Sequence, residues 1–238
     1  MLLYLSIMIL VVICFFIYKT YILQDNKFYN YKDVYPELGA INKNNAKIMA
    51  ELDNLLDNEI WLDWKENNLY ENNIINGKWK IIPLFGFGVW CTKNCKQFPT
   101  LYNILTKIPR LKLAIISKLK SGMKIIPHYG WGKHSNYVLR CHYGLKLKES
   151  VDGSRGNYVS VKNNPYDKEE EIQHHKLHDW IVFDDSKLHY AENNSGEDRI
   201  VLILDLDRPI HVKNGVSPVK ESDELMELVQ EMMMTEKT

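Results

Sequence analysis

The stretch Tyr137-Val138-Leu139-Arg140-Cys141-His142-Tyr143-Gly144-Leu145 decides the fold class. Leu139, Cys141 and Tyr143 project to one face and Arg140 and His142 to the other, the period of two that marks a β-strand. Upstream, 113–116 begins a strand pattern with Ser117 in or just after it. Ile125-Ile126-Pro127-His128-Tyr129-Gly130 then closes a strand predicted over 122–128. Downstream, 180–183 reads as a strand ending in the turn Asp184-Asp185-Ser186. Asn193-Asn194-Ser195-Gly196 is a second turn, before a strand over 199–206 that keeps Arg199, Val201 and Ile203 on one face. The polar region 149–179 reads as loops with at most a short strand over 158–161. Many short strands without β-α-β alternation predict a mainly β chain, a sandwich or barrel.

Lys+Arg and Asp+Glu are equal at 30 each in 238 residues, so the formal charge is zero and there is no electrostatic footprint for nucleic acid. Four cysteines are too few for a disulfide scaffold. Cys14 lies in an apolar leader, Cys141 in a predicted strand, and only Cys91 and Cys95 are close in sequence.

Residues 1–18 carry no charge and Lys19 is the first charged residue. A membrane-crossing helix needs about 20 residues, reached here if Lys19 snorkels and Tyr21-Ile22-Leu23 continue the run. Residues 1–23 are therefore expected as an uncleaved single-pass membrane anchor, 24–42 as a Tyr- and Asn-rich linker, and 43–238 as one domain. Lys19, Lys27 and Lys32 follow the anchor, which by the positive-inside rule keeps the domain cytoplasmic. Ile48, Met49, Leu52, Leu55 and Leu56 recur at helical spacing over 45–56, and Thr100 can cap a helix running to Ile108. Leu225, Leu228, Val229, Met232 and Met233 predict a packing helix over about 222–235, with Ser222 as its cap. Trp61, Trp64, Trp79 and Trp90 are expected to cover the sheet or shape the approach to a pocket.

Two well-separated histidines, His128 and His189, and two arginines, Arg140 and Arg199, lie on or beside predicted strands. A metal needs the first pair, and a small dicarboxylate needs the second. The quoted motifs, together with Phe183-Asp184-Asp185-Ser186-Lys187-Leu188-His189 and Arg199-Ile200-Val201-Leu202-Ile203-Leu204-Asp205, resemble those of the aspartyl/asparaginyl β-hydroxylase family. The resemblance covers about 79–209. It implies an Fe(II)- and 2-oxoglutarate-dependent dioxygenase on a double-stranded β-helix, or jelly roll. By resemblance His128 and His189 hold iron without the usual carboxylate, because Gly130 stands two residues after His128, and Asp185 is a candidate to support the vacant position. Arg199 and Ser117 are implied at the distal carboxylate of 2-oxoglutarate, and Arg140 and His142 near the carboxylate beside the metal. O₂ is the other cosubstrate, and the implied substrate is an Asp or Asn side chain of a protein, hydroxylated at its β-carbon. The resemblance also allows an endoplasmic-reticulum lumenal domain.

Other readings are weaker. His134, His174, His175, His178 and His211 are expected to be structural or exposed. A zinc site combining His174, His175 and His178 with Cys91 and Cys95 lacks a standard second half. Asp184-Asp185 as an acid/base pair requires neighbouring carboxylates to converge, and Ser186 with His189 lacks a nucleophile elbow. A lipid acyl-chain hydroxylase of the same family and an inactive jelly-roll binding module are the alternative functions.

Overall fold

The computed structural model describes residues 2–17, 23–55, 60–66, 69, 79–86, 88–149, 156–220, 227 and 230. In chain order the strands are β1 (Phe28–Tyr29), β2 (Leu62–Asp63), β3 (Trp79–Gly86), β4 (Val89–Trp90), β5 (Leu111–Leu119), β6 (Met123–His128), β7 (Val138–Lys146), β8 (Asn157–Lys162), β9 (Glu171–His174), β10 (Trp180–Phe183), β11 (Leu188–Asn193) and β12 (Arg199–Asp207). The helices are α1 (Leu2–Ile17), α2 (Tyr31–Val34), α3 (Gly39–Lys43), α4 (Asn45–Asp53), α5 (Thr92–Cys95), α6 (Pro99–Leu105) and α7 (Gly132–Ser135). One sheet runs β1-β10-β7-β12-β5-β3-β2 with β4 on β3, and the other runs β6-β11-β8-β9. From β5 to β12 the chain passes between the sheets at every step except β8 to β9. With all ladders antiparallel, this is the strand order of a jelly roll.

Side-chain alternation divides the apolar residues into two layers. Leu139, Cys141 and Tyr143 of β7 and Ile200, Leu202 and Leu204 of β12 pack against Leu38, Ile48, Leu52 and Leu101 from the helices. Ile115, Val201 and Ile203 face the other way and meet Met123, Ile125, Val159 and Val161 of the second sheet. The helices thus back the large sheet, and the space between the sheets is left for the inward residues of β5, β7 and β12.

Several expected elements differ. Residues 24–42 are not a linker: β1 pairs with β10, and Val34, Tyr35, Leu38 and Ile41 are buried. The Tyr35 hydroxyl donates to the carbonyls of Leu206 at 3.1 Å and Asp207 at 3.0 Å. Tyr and Asn content obscured an apolar spacing of 34, 38 and 41, which is helical. The region 149–179 holds a longer β8 than expected, and also β9, whose charged and half-exposed residues suit an edge strand. β3 shows no alternation because both its faces are largely covered. The helix predicted to start at Thr100 instead begins at Pro99, where a missing N–H costs nothing, and Glu51 of α4 accepts from Thr100 N at 2.7 Å.

α1 has 16 residues, so it is about 24 Å long at ~1.5 Å per residue, short of the ~30 Å hydrocarbon layer. Among the described residues no helix is long and apolar enough to cross a membrane. Tyr4, Leu5 and the side chains of 7–13 are apolar and exposed. The C-terminal helix expected over 222–235 lies outside the described residues, except for 227 and 230. Cys91, Cys95 and Cys141 are buried.

Candidate active site

His128 ends β6 and His189 is the second residue of β11. The two are directly paired across the ladder, so their ring centroids lie 4.2 Å apart. β6 is an edge strand, which is why Pro127 is tolerated one residue before the ligand candidate. The register shifts between His189 and Ala191, a bulge at the histidine end of the ladder. His128 Nδ1 lies 2.8 Å from the Ile126 carbonyl oxygen, and His189 Nδ1 lies 2.8 Å from that of Lys187. A carbonyl can only accept, so both Nδ1 atoms carry the proton and both Nε2 atoms present lone pairs.

Burial, with the nearby His189, pushes His128 down to about 3, against its hydrogen bond to Ile126. Burial likewise pushes His189 down to about 4. An unfolded histidine titrates near ~6.5. The unfolded chain therefore binds more protons than the folded one as pH falls below ~6.5. The stability due to these neutral rings is full above that value and is lost toward about 4 and then 3. Asp185, raised by burial and by the charge of Asp205, acts in the opposite sense. The melting temperature of metal-free protein is expected to fall between pH 6.5 and 4.5. A His128→Ala, His189→Ala double variant should lose less over the same interval, and equal losses in both proteins would refute the assignment.

The β10–β11 turn separates the two aspartates. Asp184 accepts from Ser186 N at 3.0 Å in an Asx turn and pairs with Arg208, while Asp185 reaches Arg140 Nη1 at 2.7 Å. They point apart, which removes the acid/base-pair reading. Asp185 Oδ1 also stands 3.4 Å from His189 Nε2. A Cβ on Gly130 would lie 2.0 Å from Asp185 Oδ2 and 2.8 Å from the Asp185 carbonyl oxygen. Asp185 thus fills the place where a residue two after His128 would project. Gly130→Ala is expected to lower stability by about 1–3 kcal/mol, and Gly130→Asp to lose folded yield rather than add a ligand. A Gly130→Asp protein that melts like the parent would refute this.

Arg140 is bound bidentately by Asp205, at 2.8 Å for both contacts, in addition to Asp185. Burial alone would lower its pKa, but the two carboxylates raise it above that of a free guanidinium. His134 Nε2 adds a 2.8 Å contact to Asp205. Arg199, the first residue of β12, is also buried, yet among the described residues no carboxylate meets it and its Nε has no hydrogen-bond partner. Burial pushes it down to about 10. Arg199 pairs with Leu119 and Val201 with Ser117, so Arg199 and Ser117 are diagonal neighbours on the inward face. Ser117 Oγ accepts from Trp79 Nε1 at 2.9 Å. His142 faces inward from β7, with its Nδ1 3.1 Å from His175 Nε2.

A cavity of ≈ 250 Å³ opens onto His128, Gly130, Arg140 and Asp185. Its remaining walls include Trp64, Leu69, Trp79, Ile115, Trp131 and Ile203. Trp64 stacks on Trp79 with centroids 4.6 Å apart, and Trp131 lies beyond Trp64 at 6.3 Å. The tryptophans do shape an approach to a pocket, as expected for Trp64 and Trp79. Of the site candidates, His128, His189, Asp185 and Arg140 meet in one cluster. His142 and Arg199 meet through His175, while Ser117 sits on the shared face. Sequence reasoning set aside His134 and His175 as structural or exposed, and it gave Asp205 no role. Only the fold brings these three to the arginines. Among the described residues no group of three or more His, Cys, Asp or Glu side chains has metal-ligand spacing, so the two-histidine pair stands alone and the Cys/His zinc site does not form.

The jelly roll thus pairs two histidines across one ladder, with His128 on the wall of an apolar cavity. Residues 42–209 match the family model described as aspartyl/asparaginyl beta-hydroxylase. The chain belongs to that family. It is 29% identical over 178 residues, 74% of its length, to an ornithine lipid ester-linked acyl 2-hydroxylase of Rhizobium tropici, and spans 59% of that relative. Among solved structures it is similar to a prolyl hydroxylase of Trichoplax adhaerens (TM-score 0.48, 12% identity, 70% of this chain and 79% of that one). It is also similar to a 2OG-Fe(II) oxygenase family oxidoreductase of Burkholderia pseudomallei (TM-score 0.46, 14% identity, 73% and 82%).

Proposed function

We propose that this chain is an Fe(II)- and 2-oxoglutarate-dependent dioxygenase that hydroxylates an aliphatic C–H bond, in the first instance on a lipid acyl chain. The carrying observation is the pair His128 and His189, with both Nε2 lone pairs directed away from their backbone partners beside an apolar cavity. The residues fit the groups this reading requires. Two neutral imidazoles suit Fe(II), and the Asp185 carboxylate beside His189 Nε2 places two electron-rich atoms where a cation relieves their repulsion. Arg199 is a buried cation lacking a carboxylate among the described residues, and a dicarboxylate cosubstrate supplies one. When bound, iron, O₂ and 2-oxoglutarate supply the oxidising power for hydroxylation.

The chain's own residues then divide the remaining work. Ile126 and Lys187 fix the tautomers of the two histidines, Arg140 holds Asp185 in the place left by Gly130, and Arg199 with Ser117 anchors the distal carboxylate. Trp64, Trp79 and Trp131 exclude water and orient an apolar substrate.

The acyl-chain reading is favoured over an Asp or Asn side chain because Arg140, the cation of the cavity wall, already pairs with two carboxylates. The lipid hydroxylase relative and the exposed apolar α1, which would hold the domain at a membrane, also support it. The family description keeps protein Asp/Asn hydroxylation as the second reading. Succinate formation should be measured with acylated aminolipids and with Asp/Asn-containing peptides in parallel. Stimulation by lipid is expected; stimulation by peptide alone would reverse the order, and 2-oxoglutarate turnover or binding in neither arm would remove the enzyme reading.

A further inference from the structure

We propose that His175 is a positioning residue that fixes the tautomer of His142, so that His142 offers an N–H to an anionic oxygen of the cosubstrate. The proposal rests on the reading of Arg199 and the inward face of β7 as part of a 2-oxoglutarate site. His175 and His142 are both buried, with rings stacked 5.4 Å apart at an interplanar angle of 16°. Arg199 Nη1 lies 3.5 Å from His175 Nδ1, and His175 Nε2 lies 3.1 Å from His142 Nδ1.

The proton assignment follows from what each atom is able to do. A guanidinium only donates, so His175 Nδ1 accepts. A neutral imidazole carries one proton, which places it on His175 Nε2, and that atom donates to His142 Nδ1. His142 is then left with its proton on Nε2. Burial pushes both rings well below ordinary histidine values, and at His175 burial and the Arg199 charge outweigh the Asn157 backbone carbonyl, which acts the other way, so both rings are neutral. His142 Nε2 is buried without a hydrogen-bond partner among the described residues, and a buried orphan donor needs an acceptor. His142 shares the inward face of β7 with Arg140, which makes an anionic ligand oxygen its natural acceptor.

The fold builds this contact through Gly144. His175 directly follows β9, and its N–H donates to the Asn157 carbonyl at 2.9 Å. The segment then crosses β7 at Gly144, whose bridge partner is Leu177. A Cβ on Gly144 would lie 2.1 Å from the Lys176 carbonyl oxygen, so only glycine allows the approach that lays His175 against His142.

Ring ¹⁵N NMR of metal-free protein tests the tautomer without any activity. His142 is expected as the Nε2–H form in the parent, and as a shifted tautomer mixture in His175→Ala. The same proteins, loaded with Mn(II) without O₂, are titrated with 2-oxoglutarate. Affinity should fall about tenfold in His175→Ala, while His175→Gln, which keeps a donor toward His142, should recover most of it. Steady-state turnover should show the change in KM for 2-oxoglutarate and not in kcat. An Nδ1–H tautomer of His142 in the parent, or unchanged affinity in folded His175→Ala, would overturn the proposal. If the parent shows the Nε2–H tautomer but binds no 2-oxoglutarate, the cosubstrate reading fails and the ligand role falls with it, while the histidine chain itself stands.

Discussion

Replacing both His128 and His189 with alanine is expected to reduce metal-dependent conversion of 2-oxoglutarate to succinate by at least about 100-fold. Loss of a group that merely supports a metal ligand already costs about 10–100-fold, and here the ligands themselves are removed. The effect should be this severe because the structure offers few substitutes. Gly130 contributes no side chain, Asp185 is held by Arg140, and no group of three or more potential ligands exists among the described residues. Metal affinity should fall in parallel, measured by competition with a chelator at pH 7, where both parent rings are neutral and no proton must be displaced. The two side chains sit at one end of the β6–β11 ladder, so near-ultraviolet circular dichroism should still show a packed core. A folded double variant that keeps parental turnover would place the metal elsewhere.

The alternating strands were legible because one face meets the helices and the other the second sheet. The pattern Leu139, Arg140, Cys141, His142 records that division directly. β3 was obscured because its two covered faces erase alternation, and β9 because an edge strand needs no apolar face. The histidine pair was legible from its motif, and the structure adds the cross-strand register that brings the rings together. The partners of the arginines were not legible. Asp205 lies 65 residues from Arg140, and His175 lies 24 from Arg199. Nothing local in the sequence marks a long-range buried contact. Arg140 and Arg199 look equivalent as sequence, yet one has two carboxylates and the other has none among the described residues, and that difference is why Arg199 is the one proposed to take the ligand.

Arg199→Met is expected to move two quantities in opposite directions. In cosubstrate-free protein the melting temperature should rise, because a buried cation whose pKa is depressed by burial alone is replaced by an apolar side chain of similar length. The affinity for 2-oxoglutarate should fall by at least about 30-fold, the lower end of the loss when one member of a buried charge pair is truncated. The parent should melt higher with 2-oxoglutarate and metal present, and the variant should show almost no such shift, since stabilisation by a ligand follows its affinity for the folded state. A purely structural Arg199 predicts the reverse: a variant less stable on its own and still stabilised by 2-oxoglutarate. Thermal melts of both proteins across a 2-oxoglutarate series separate the two cases. Asp205→Ala provides the contrast, because it leaves Arg140 with only Asp185 and should destabilise the protein by about 3–5 kcal/mol whether or not cosubstrate is present. One buried arginine would then be held by the fold, and the other would await its ligand.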